Sequence, residues 1–238
     1  EELFTATKGS SWSNQAYWLD SEVSICTWAG VICDANARVI ELQLGNVDMR
    51  GTLPASIGDL EHLRVINFSS NSISGTIPPT IGKLKNLAEL YLSINHFRGS
   101  VPVEISALTE LRSIHLGTNL FADWEIPMTW KQLTNLKYIY LNSCGLIGTI
   151  PDIFGSLTEL STLSLYNNRL EGTVPSLADT NITMLELNLN KLSGSLPSLP
   201  NKTLKYLILS NNTFTGGLEN MYNLTSVKLI SLASNNLH

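Results

Sequence analysis

Charge is scarce in this sequence: Asp, Glu, Lys and Arg together make up only 15% of its 238 residues. With 43% hydrophobic residues beside so little charge, the chain is neither a disordered tail nor a coiled coil, and it must fold around a core. Its 15 basic residues are scattered and the formal net charge is -5, so nothing forms the electrostatic footprint of a nucleic-acid or anionic-membrane binder. Long apolar runs are short as well. The charge-free stretch from Tyr138 to Pro151 falls below the roughly 20 residues of a bilayer span and is broken by Asn142, Ser143, Gly145 and Gly148. No membrane insertion is expected of it.

Catalytic signatures are missing too. The four histidines, His62, His96, His115 and His238, fall in no metal-ligand spacing, and no Gly-x-Ser-x-Gly elbow or dinucleotide glycine set occurs. Gly82-Lys83 has neither the spacing nor the hydroxyl residue of a phosphate loop. Asp123 and Glu125 could pair as acid and base, but neighbouring carboxylates on a loop read more simply as a solvated face. No catalytic residue, metal ligand or cofactor is therefore assigned.

What is present is repetition. Leu87-Ala-Glu-Leu90-Tyr-Leu92-Ser-Ile-Asn95-His-Phe97-Arg-Gly99-Ser-Val101-Pro102 lies over Leu160 to Pro175 with every apolar, Asn, Gly and Pro position coinciding. The frame places Val47, Asn71, Asn95, Asn119, Cys144, Asn168, Asn190, Asn212 and Asn235 in one column, at steps of 22 to 25 residues. Nine turns in register are the signature of a solenoid.

Each turn has a physical logic. Leucines at alternate positions, such as Leu90 and Leu92, mark a short strand with one buried face, and stacked strands would make a parallel sheet. The Asn that follows can pair backbone groups of neighbouring turns that would otherwise be buried without partners. Cys144 suits that column as a small buried side chain with a weak donor. A recurrent Gly then relaxes the backbone, and the Pro after it makes a long helix improbable, so short 3-10 or extended segments are expected on the other side. No turn buries its apolar face alone, and stability must come from stacking.

The pattern Leu-x-x-Leu-x-Leu-x-x-Asn-x-Leu-x-Gly-x-Ile-Pro resembles the plant-specific class of leucine-rich repeats, from about Val39 to the end. The segment before it, 1–38, is similar to that class's N-terminal cap: Leu3-Phe4, Trp12 and Trp18 precede Cys26-Thr-Trp28-Ala-Gly30-Val31-Ile-Cys33. The resemblance implies an α/β leucine-rich-repeat solenoid, a horseshoe or right-handed superhelical arc. It would carry a parallel sheet on its concave face and short 3-10 or extended segments on its convex face. The organisation is then a cap over 1–38 and about nine repeats over 39–238, the last incomplete, with the native protein continuing past it. Family members are receptor-kinase ectodomains and polygalacturonase-inhibiting proteins. They imply an extracellular, secreted or cell-surface monomer that recognises a protein, peptide or glycan and is not an enzyme. A secreted inhibitor of a cell-wall-degrading hydrolase and a structural or adhesive surface protein are the alternative functions.

Within that frame Cys26 and Cys33 close a short loop in the cap. Zinc would need further ligands and the cap has no His, so a disulfide is the expectation, adding about 2 to 3 kcal/mol by loop entropy. Asn67, Asn181, Asn201, Asn211 and Asn223 stand in Asn-x-Ser/Thr triplets and are candidate glycan acceptors. Two turns depart from the pattern. The fourth, Phe121-Ala-Asp-Trp-Glu-Ile126-Pro127, lacks the Gly and should bulge around Trp124 and Trp130. The eighth, Phe214-Thr-Gly-Gly217-Leu218, lacks the Pro. The side chain between each pair of strand leucines must point outward: Gln43, Asn67, Tyr91, His115, Tyr140, Ser164, Glu186, Ile208 and Ser231. Tyr91, His115 and Tyr140, flanked by Tyr138 and Tyr166, are the expected ligand-binding residues.

Overall fold

The computed structural model describes the whole chain, Glu1–His238, as two compact units, Glu1–Ala122 and Asp123–His238. In the first unit, α1 (Glu2–Ala6) and two short 3-10 turns (Gly9–Ser11 and Ile25–Thr27) lead into eight strands. These are β1 (Val31–Cys33), β2 (Val39–Gln43), β3 (Arg50–Thr52), β4 (Val65–Asn67), β5 (Ser72–Gly75), β6 (Glu89–Tyr91), β7 (His96–Phe97) and β8 (Ser113–His115). Strands β1, β2, β4, β6 and β8 form the main sheet in that order, parallel except for the antiparallel β1–β2 pair. A smaller parallel sheet takes β3, β5 and β7.

The second unit repeats the plan with β9 (Tyr138–Tyr140), β10 (Ile147–Thr149), β11 (Thr162–Ser164), β12 (Arg169–Gly172), β13 (Met184–Glu186), β14 (Lys191–Gly194), β15 (Tyr206–Ile208), β16 (Thr213–Gly216), β17 (Leu229–Ser231) and β18 (Asn236–Leu237). The odd-numbered strands form its main parallel sheet and the even-numbered ones its second sheet. Short 3-10 turns follow the Pro positions, at Ala55–Asp59, Pro79–Lys83 and Val103–Ala107 in the first unit and at Met128–Gln132 in the second. No helix is long and apolar enough to cross a membrane.

Alternation drives this architecture. Leu42, Ile66, Leu90 and Ile114 in the first unit, and Ile139, Leu163, Leu185 and Leu207 in the second, are the inward residues of successive strands and all are buried. Each such side chain contributes roughly 1.5–3 kcal/mol of transfer free energy. The Asn column pairs the backbone between turns. Asn95 Oδ1 accepts from Ile73 N at 2.9 Å, while its Nδ2 donates to Phe68 O at 2.9 Å and to Leu92 O at 3.2 Å. Asn71, Asn168, Asn190, Asn212 and Asn235 bond likewise.

The recurrent Gly has a steric reason. Gly75 sits at φ 75°, and a Cβ there would lie 3.0 Å from Thr52 Cγ2; Gly172, at φ 76°, would meet Thr149 Cγ2 at 3.1 Å. Thr52, Thr76, Thr149 and Thr173, each following such a Gly, therefore pack a methyl on the Gly of the next turn. In the cap, Phe4, Trp12, Trp18 and Trp28 cluster with ring centroids 4.9 to 5.6 Å apart. The Cys26–Cys33 disulfide is formed.

The fourth turn corrects one expectation. Trp124 and Trp130 do not stand out in a bulge; they are 5% and 0% exposed and pack 6.2 Å apart. Trp124 pairs with Leu146 in a parallel bridge and donates Nε1–H to Cys144 O at 2.8 Å. Two large rings that can be buried gain more from the core than from water. Cys144 is reduced and buried, its Sγ 2.9 Å from Leu141 O. Burial pushes its thiol up to about 12, so it stays protonated and unreactive at neutral pH.

Candidate strand-face recognition site

The outward side chains of each main sheet form columns, because parallel strands in register place equivalent residues about 4.8 Å apart. In the first unit one column runs Gln43, Asn67, Tyr91 and His115. A second column, two residues earlier on each strand, runs Glu41, Val65, Glu89 and Ser113. Tyr91 and His115 meet edge to face with centroids 4.6 Å apart, and Tyr91 Oη donates to Glu89 Oε2 at 2.8 Å. His115 is half-buried, and burial lowers its pKa to about 4, so the ring is neutral under ordinary conditions.

In the second unit the columns are Tyr138, Thr162, Met184, Tyr206 and Leu229, and beside them Tyr140, Ser164, Glu186, Ile208 and Ser231. Tyr138 is exposed, with Lys137 Nζ 5.4 Å from its ring centroid. Tyr140 and Tyr166 are half-buried, and Asn142 Nδ2 donates to Tyr166 Oη at 3.2 Å. Ser164 points outward yet is fully covered, its Oγ donating to Glu186 Oε2 at 2.8 Å. The five aromatic candidates thus fall as Tyr91 and His115 in one unit and Tyr138, Tyr140 and Tyr166 in the other.

The candidate glycan acceptors differ in setting. Asn181, Asn201, Asn211 and Asn223 are exposed. Asn67 is half-buried on β4, with Oδ1 accepting from Ser69 N at 3.2 Å and Ser69 Oγ at 2.6 Å, and Nδ2 donating to Gln43 Oε1 at 3.3 Å. Reading only the residue between the two leucines overlooked Glu89 and Ser113. The same alternation, counted two residues earlier, would have found them.

Strands of one residue pattern stacked through an Asn column, with open outward columns, define a leucine-rich-repeat solenoid. The Leucine Rich Repeat family matches residues 62–84 and 135–157. Phytosulfokine receptor 1 of Arabidopsis thaliana is 43% identical over 60 residues, 24% of this chain and 6% of that receptor. The ectodomain of the plant membrane receptor kinase GASSHO1/SCHENGEN3 from Arabidopsis thaliana, solved with CASPARIAN STRIP INTEGRITY FACTOR 2, superposes with a TM-score of 0.88. It is 29% identical, covering 100% of this chain and 30% of that one. A plant ice-binding protein superposes with a TM-score of 0.75 at 26% identity, covering 99% of this chain and 84% of that one.

The chain carries leucine-rich repeats similar to those of plant receptor ectodomains, and it spans under a third of the receptor ectodomain it resembles.

Proposed function

We propose that this chain is an extracellular recognition module whose main-sheet faces take up a protein, peptide or glycan partner, and that it acts by binding rather than by catalysis. The observation that carries the reading is the aromatic content of outward positions. The repeat needs leucine inward and Asn at the turn, but it has no structural requirement for Tyr91, His115, Tyr138, Tyr140 or Tyr166. Tyrosine offers a rigid apolar body with a polar tip, which suits contact with peptides and sugars. The resemblance to receptor ectodomains supports it, one of them solved with a bound partner.

The test starts from binders selected out of a displayed peptide library against the intact chain. Tyr138→Ala with Tyr140→Ala, and separately Tyr91→Ala with His115→Ala, should weaken the selected binders at least about ten-fold while the melting temperature stays within a few degrees. Binders that tolerate both double variants would place recognition elsewhere.

A second reading rests on the exposed hydroxyl column Thr149, Thr173 and Ser195, together with the likeness to the plant ice-binding protein. A regular hydroxyl rank could adsorb to an ordered surface such as ice. Slowed ice recrystallisation that is lost in Thr149→Arg with Thr173→Arg would support this, and no slowing by the unaltered chain would end it.

A further inference from the structure

We propose that Glu89, Ser113 and Tyr91 form a subsite for a cationic nitrogen of the partner, a primary ammonium above all. The proposal deepens the strand-face reading and rests on it.

Three observations converge on the same spot. Glu89 is half-buried on β6, and no Lys, Arg or His pairs with it; the ion pairs of the chain are Arg38–Asp34, Lys83–Asp59 and Arg169–Asp123. A carboxylate partly withdrawn from water without a counter-charge is a standing demand for a cation. Directly beside it in register on β8 is Ser113, whose outward side chain is only 3% exposed and whose Oγ has no hydrogen-bond partner in the protein. Buried polar groups are nearly always paired, so an orphan hydroxyl next to an unpaired carboxylate is where a ligand donor is missing. Thirdly, Tyr91 holds its hydroxyl on Glu89 Oε2 and its ring against His115, which presents aromatic surface beside the carboxylate. Carboxylate plus aromatic wall is the arrangement that attracts an organic cation.

The donor count favours an ammonium. Three N–H groups meet three acceptors: a Glu89 carboxylate oxygen, Ser113 Oγ and Tyr91 Oη. Because Ser113 is only 3% exposed, the ammonium reaches its Oγ by displacing the side chains that cover it. Glu41, two strands away in the same column, is a contrast. It too accepts one side-chain hydrogen bond, from Gln43 Nε2 at 3.0 Å, but no orphan group adjoins it in register.

The direct probe is n-butylammonium titrated into the intact chain and followed by the backbone amide signals of Glu89, Tyr91 and Ser113, with n-butanol and tetramethylammonium as controls. Saturable shifts with butylammonium, absent with butanol and weaker with tetramethylammonium, are the expected result. Glu89→Gln, which keeps an oxygen for Tyr91 to bond, should weaken binding at least ten-fold, and Ser113→Ala about three-fold. Glu104→Gln, at an exposed position of the 3-10 turn Val103–Ala107 away from the main-sheet face, should leave it unchanged. No shift at these amides, or equal shifts with butanol, overturns the subsite. Peptides selected from the library should be enriched in Lys, Arg or a free amino terminus and should lose affinity on Glu89→Gln. Selected peptides that lack a cation but still depend on Tyr138 and Tyr140 would sink the subsite and keep the strand-face reading. Selected peptides indifferent to every strand-face variant would remove that reading, and with it the partner assigned to the subsite.

Discussion

At the residue scale, the strain in this chain is concentrated where each strand turns into its Asn. The residue before Asn takes a left-handed conformation in turn after turn, with φ 55° at Asn167 and 58° at Asn211. Ile94 holds that conformation at φ 57° although it is β-branched and 54% exposed. The left-handed region costs such a residue roughly 1–2 kcal/mol, and little burial compensates here. Ile94→Asn should therefore stabilise the protein by about 1 kcal/mol in chemical denaturation. Unchanged or lower stability would mean that the isoleucine makes contacts worth more than its strain. His115 supplies a pH prediction. Its folded pKa of about 4 lies below the unfolded value, so the unfolded chain binds the extra proton between those values. This residue's contribution to stability is complete above about pH 6.5 and falls as the pH drops toward 4. Denaturation curves across that window should be flatter for His115→Gln than for the unaltered chain. Equal slopes would show that its burial does not resist protonation.

At the element scale, the unit of stability is the stacked turn rather than any one strand. Strands of two to five residues have no independent stability. They persist because each Asn ties its own turn to the one before. Asn95 is 5% exposed and satisfies groups on two turns, so Asn95→Ala would leave the buried Ile73 N–H unpaired and take one of two amide donors from each of Phe68 O and Leu92 O. A loss of about 2–4 kcal/mol is expected. An effect below about 0.5 kcal/mol would show that the ladder bonds are dispensable. This element was legible in the sequence, since the Asn column repeats within a residue or two of a constant step. The fourth turn was less legible. The missing Gly and two tryptophans read as a bulge, because local pattern cannot say whether a large ring finds room in the core.

For the molecule as a whole, the cap and the glycan acceptors bear on how it is made. The Cys26–Cys33 bridge closes a loop of seven residues' separation, and its reduction should cost about 2 to 3 kcal/mol of stability. Cys144 should remain unlabelled by thiol reagents until the protein unfolds, and ready labelling of the native chain would contradict its burial. Expressed through a eukaryotic secretory pathway, the chain should carry glycans at exposed sequons, Asn181, Asn201 and Asn223 foremost. Asn67 should stay bare, because its amide is engaged on the strand face by Ser69 and Gln43. Peptide mapping after glycosidase treatment reads this directly; a glycan on Asn67 would block part of the first unit's face and argue against recognition there.

Period and alternation are properties of neighbouring residues along the chain, and so the sequence alone determined the repeat, the inward leucines, the Asn column, the bonded cysteines and the direction of each strand side chain. It could not determine how far each outward side chain is covered. That depends on side chains about 22 to 24 residues away, which stacking brings within about 4.8 Å. Ser164 points outward and is closed over, bonded to Glu186, while Ser113 points outward and is closed over without a partner. His115 is held neutral by burial, and Glu89 is left without a counter-charge. Only the tertiary structure separates these cases, because desolvation and hydrogen bonding are set by what lies beside a residue on the sheet, not by what precedes it in the chain.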